Sequence, residues 1–85
     1  MRRWVSSQSY QVAIGVLVAA RKQAGLTQRD LADRLGKPPS FVAKVETGER
    51  RLDFVEFVAI ARELGTKPSS LMDQIDVTIA GKLDI

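Results

Sequence analysis

The chain is 85 residues long, with 13 basic and 10 acidic side chains and neither cysteine nor histidine. That length makes one small domain, and the two absences exclude disulfides, thiolate chemistry and the commonest metal ligand and general base. No phosphate loop, nucleophile elbow or metal box stands in it, so neither an enzyme nor a bound cofactor or metal is expected.

Residues 1–8, MRRWVSSQ, read as a flexible N-terminal arm. Arg2 and Arg3 lie there and are not counted as a site, because chain ends are usually poorly ordered. The first helix is predicted over Ser9 to Ala24. It contains VAIGVLVAA at 12–20, a run faintly like a signal peptide but far too short to span a bilayer. A polar stretch also separates it from the arginines, so it reads as core, with no membrane partner and a cytoplasmic location. Thr27 and Asp30 form a capping-box pattern that opens a second helix, Gln28 to Leu35. A third follows from Pro39 to Thr47; proline is tolerated at the first helical position, where its missing N–H has no partner. Asp53 and Glu56 repeat the capping pattern before a fourth helix, Phe54 to Leu64, and a fifth runs from Pro68 to about Ile75.

Gly25, Gly36, Gly48 and Gly65 follow the first four segments, where a left-handed cap is wanted. Apolar residues recur at helical spacing: Ile14 and Leu17, Leu31 and Leu35, Val42 and Val45, Phe54 through Leu64, Leu71 and Ile75. Helices this short persist only by packing, and their short connections force consecutive ones together. The expected fold is an all-α, compact five-helix bundle over residues 9–75.

The tail, 76–85, alternates: Val77, Ile79, Gly81, Leu83 and Ile85 fall on one side. That is a strand signature, and a strand without an internal partner would pair with its copy across a dimer two-fold, with Val77, Ile79, Leu83 and Ile85 as contacts. A helical reading through Met72, Ile75, Ile79 and Leu83 also fits, opposed by Gly81 and the β-branched residues. A packed or frayed coil is the third outcome.

On a helical wheel, Pro39, Ser40, Ala43, Lys44 and Thr47 share one arc of the third helix; Val42, Val45 and Glu46 share the other, and Phe41 flanks them. The first arc is small, polar and singly basic, the profile of a helix able to lie in a DNA major groove about 12 Å wide. Charge agrees: residues 21–51 carry an excess of four positive charges, and residues 52–85 an excess of three negative ones. GLTQRDLADRLGKPPS reads as helix, tight turn, helix, which puts Gln28 and Arg29 at a helix N-terminus, where anions are favoured.

From Arg21 to Met72 the chain resembles the Cro and phage-repressor (xenobiotic-response-element) type of helix-turn-helix domain. The motifs that carry the resemblance are AGLTQRDLADRLG, PPSFVAKVETGERRLDFVEFVAIARELG and PSSLM. The resemblance implies a transcriptional regulator, usually a repressor, binding a pseudo-palindromic double-stranded operator of a bacterium or phage as a homodimer. It matches Gln28 to a phosphate-contacting glutamine; Pro39, Ser40 and Lys44 to base-reading positions; and Thr47 through Arg51, including Arg50 and Arg51, to a backbone-holding loop. Arg21 and Glu46 match a structural ion pair. Relatives often place an amide where Pro39 stands, so base reading falls on Lys44 and Ser40, with Phe41 available to a thymine methyl or sugar. The alternative is an antitoxin or other protein-binding module, motivated by the acidic second half and the tail.

Overall fold

Serine 7 opens the first helix: its hydroxyl accepts from the Tyr10 N–H at 3.3 Å, and α1 runs Gln8–Gln23. The computed structural model describes residues 7–85, so the arm expected at 1–8, with Arg2 and Arg3, lies outside the described residues except for Ser7 and Gln8. The other elements are α2 Gln28–Leu35, α3 Pro39–Thr47, α4 Phe54–Glu63 and α5 Pro68–Thr78. Both capping boxes close reciprocally, Thr27 with Asp30 and Asp53 with Glu56, and the hydrogen bonds of the first hold the Asp30 carboxyl below its ordinary range. Pro39 and Pro68 sit in the first turns of α3 and α5, where no intrahelical donor is lost.

Gly36 carries the sharp turn between α2 and α3. Its φ of +67° is left-handed, and the Lys37 and Gly36 N–H groups bond back to the carbonyls of Ala32 and Asp33 at 2.9 and 3.1 Å. This closure satisfies the last carbonyls of α2 and sends the chain directly into α3. The core behind the turn gathers Ile14, Leu17, Leu31, Ala32, Val42, Val45, Phe57, Ile60, Ala61, Leu64, Leu71 and Ile75 from all five helices. Helix α2 packs on α3 and α4, while α1 and α5 pack together and close the other side. Phe54, placed on the apolar periodicity by sequence, is 79 % exposed at the start of α4.

The tail is not a strand; among the described residues the chain forms none. Helical period prevails over alternation: α5 continues to Thr78, with Ile75 buried and Ile79 packed against the core four residues on, while Val77 points to solvent. Beyond it the chain folds back on α1. The Asp84 carboxylate accepts from the Gln8 and Ser9 N–H groups at 3.0 and 2.8 Å, and its carbonyl accepts from the Ser7 hydroxyl at 2.6 Å. An acid at a helix N-terminus is favoured by both the open donors and the dipole. No helix among the described residues is long and apolar enough to cross a membrane.

Candidate nucleic-acid interface

Helix α3 turns its two faces as its sequence periodicity requires. Val42 and Val45 are 2 % and 3 % exposed, whereas Pro39, Ser40, Lys44 and Thr47 are all open to solvent. Nothing larger than Lys44 projects from the outer arc, so another surface can approach its backbone closely. The Thr47 hydroxyl donates to the Lys44 carbonyl at 3.1 Å, which finishes the helix before Gly48.

The orientation of that face is set by one carboxylate. Glu46, on the inner side of α3, accepts from Arg21 Nε at 2.6 Å and Nη2 at 3.0 Å. Gln28 Nε2 donates to the same Glu46 group at 2.8 Å, and Arg21 Nη1 donates to the Leu26 carbonyl at 2.8 Å. Helices α1, α2 and α3 are thus tied at a single point. The Arg21 and Glu46 side chains are only 9 % and 11 % exposed, so the fork is nearly dry and every donor counts. Its hydrogen bonds to Glu46 raise the Arg21 guanidinium above its ordinary value despite burial.

Gln28 is therefore not a loose side chain at the α2 N-terminus. One amide N–H is committed to Glu46, and the residue is half-buried. Arg29, its neighbour, is exposed on the same end of α2. Of the two arginines after α3, Arg51 is exposed and stacks over Tyr10, its guanidinium carbon 5.1 Å from the ring centre. Arg50 is engaged instead: Nη1 and Nη2 donate to the two Glu56 oxygens at 2.9 and 2.7 Å. That fork raises Arg50 and lowers Glu56 from their ordinary values.

Phe41 is half-buried, with Lys37 Nζ 5.5 Å and the Arg50 guanidinium carbon 4.7 Å from its ring centre. Sequence reasoning missed Lys37; its spacing of four residues before Phe41 was the available signal, hidden by the two intervening prolines. Arg29, Lys37, Lys44 and Arg51 are all exposed and basic, and Ser40 and Thr47 are open to solvent on α3. The residues expected at a dimer contact are divided: Val77, Leu83 and Ile85 are exposed, while Ile79 packs inward. Phe54, Val55 and Met72 are further exposed apolar residues, none of them expected at a contact surface.

Comparison with known proteins agrees with this geometry. The helix-turn-helix family HTH_3 matches residues 17–71, whereas a search of curated proteins finds no match. Among solved structures, an XRE-family like protein from Pseudomonas syringae pv. tomato str. DC3000 is 44% identical, with a TM-score of 0.78 over 85% of this chain and 88% of that one. Two structures of the clp gene regulator ClgR from Corynebacterium glutamicum share the fold at lower identity. One has a TM-score of 0.75 at 18% identity, covering 87% of this chain and 96% of that one. The other has 0.72 at 17%, covering 81% and 73%. The α2–turn–α3 unit, the matched span and the close structural relative together make this chain a member of the helix-turn-helix family of the Cro and XRE type, a family of DNA-binding transcriptional regulators.

Proposed function

We propose that the protein binds double-stranded DNA sequence-specifically as a homodimer and represses transcription from a pseudo-palindromic bacterial or phage operator, acting in the cytoplasm. The observation that carries this reading is the exposed, small-residue face of α3, basic at Lys44, with Val42 and Val45 buried behind it. In the major groove that face brings Ser40 and Lys44 to base edges, and Lys44 suits guanine O6 and N7. Pro39 adds close approach without a donor, so sequence-dependent DNA shape carries part of the selectivity. Gln28 keeps its second amide N–H for a phosphate oxygen, and Arg29, Thr47 and Arg51 are the further phosphate contacts of this reading.

Glu46 contributes by orientation. A helix tied at Arg21 and Gln28 meets the groove already aimed, and little ordering remains to be done on binding. The dimer half of the reading is supported by the exposed Phe54 and Met72, which line one apolar groove with Leu52 and Phe57. The same residues support the second reading, an antitoxin or similar module whose main partner is a protein. Enrichment of duplexes from a random pool, with the mass of the complex recorded, tests both. Two copies on a two-fold-symmetric site are expected, with half-sites about one helical turn apart and affinity falling steeply with salt. A monomer that enriches no duplex but captures a second protein favours the module instead.

A further inference from the structure

Arg50 stands at the rim of the exposed α3 face, yet its charge is already matched. Its two terminal nitrogens fork onto Glu56 at 2.9 and 2.7 Å, and Nη1 also reaches the Arg51 carbonyl at 3.1 Å. Glu56 is itself fixed, because it is the third residue of the α4 capping box and takes the Asp53 N–H at 3.1 Å. The guanidinium held in this way lies over Phe41, on the flank of α3. A fork already filled by a carboxylate is a poor phosphate ligand, since a phosphate would have to displace bidentate bonds of the same kind. A planar cation locked in place is well suited to stacking on a ring. Lys37 approaches the same ring, so Phe41, half-buried and packed against the edge of the core, is held between α2's turn and α4's cap.

Building on the DNA-binding reading above, we infer that Glu56 and Arg50 are positioning residues that fix the Phe41 ring for apolar contact with a thymine methyl group in the major groove, and that Arg50 is not a phosphate contact. The relay starts in the cap of α4, outside the helix-turn-helix unit, and acts on base preference through one aromatic ring.

The probe is the duplex most enriched from the random pool, with each thymine replaced in turn by uracil, which removes only the methyl group. At one thymine the wild-type protein is expected to lose about fourfold in affinity, the equivalent of one buried methyl group. Glu56→Gln keeps an acceptor for the Asp53 N–H but drops the charge, and Arg50→Lys keeps the charge but loses the fork. Both should bring that thymine-to-uracil ratio close to one, and thermal melting identifies whether either variant has failed to fold, in which case the other decides. Arg50→Ala should leave the slope of log affinity against log salt as in the wild type, where loss of a phosphate contact would reduce it by about one. The inference is overturned by a wild-type protein indifferent to every uracil, by a ratio that survives in the folded variants, or by a reduced slope in Arg50→Ala. If no duplex is enriched at all, the DNA-binding reading fails first and takes the inference with it.

Discussion

Glu46→Ala removes the acceptor of three hydrogen bonds at once, two from Arg21 and one from Gln28. The alanine leaves a guanidinium in a pocket where its side chain was 9 % exposed, with only the Leu26 carbonyl remaining to it. Breaking a buried pair in this way costs about 3–5 kcal/mol, whereas an exposed pair is worth about 0–1 kcal/mol. The residual exposure of both partners places the loss near the lower end, about 3 kcal/mol. For a domain of this size that lowers Tm by about 12–24 °C, a large share of a total stability of about 5–10 kcal/mol. Arg21→Met with Glu46→Leu removes both charges and should come within about 1 kcal/mol of the wild type, since no uncompensated ion is left behind. Urea unfolding followed by circular dichroism measures all three proteins, with equal m-values required for the comparison. A loss in Glu46→Ala under about 1 kcal/mol, or a double variant no more stable than Glu46→Ala, would refute a buried, mutually dependent pair.

Asp84 is held down to about 2 by hydrogen bonding from Ser9, through its side chain and then its backbone, and from the Gln8 N–H. A folded value below the ordinary one means the clamp contributes fully above about pH 4 and is lost as pH falls toward 2. The Asp84 carboxyl signal should therefore titrate together with the Gln8 and Ser9 amides in NMR; titration near the ordinary carboxylate value would contradict it. Gly36→Ala meets no atom within 4 Å of the added carbon, so its cost is conformational alone, about 1–2 kcal/mol for a left-handed alanine, readable as a lower urea midpoint with unchanged m. Lys44→Ala should weaken an enriched duplex by about 1–3 kcal/mol more than a scrambled one; equal losses in a gel-shift titration would make Lys44 a backbone contact.

What the sequence disclosed was local. Caps act over three residues and glycine turns over one, so Thr27, Asp53 and Gly36 announce helix limits directly. The inward aim of Glu46 followed from helical period alone. Three contacts needed the fold itself. Gln28 meets Glu46 across 18 residues and Asp84 meets Ser9 across 75; no periodicity encodes such distances. Arg50 and Glu56 are six apart across a turn, so Arg50 reads as a loop contact and Glu56 as a cap, with nothing to pair them until the turn brings them together. In the tail, alternation and helical period were both present. Burial chose between them: Ile75 is buried and Ile79 packs against the core, while Val77, which alternation puts on the same side, is exposed.

Sequence-specific binding requires that the outer arc of α3 be the surface that meets a duplex. NMR titration of the labelled protein with an enriched duplex asks this directly. The largest amide and side-chain shifts are predicted at Ser40 and Lys44, with Gln28, Arg29 and Thr47 around them, and little change along α5. Shifts concentrated on α5 and the tail, with α3 undisturbed, would contradict DNA binding through α3.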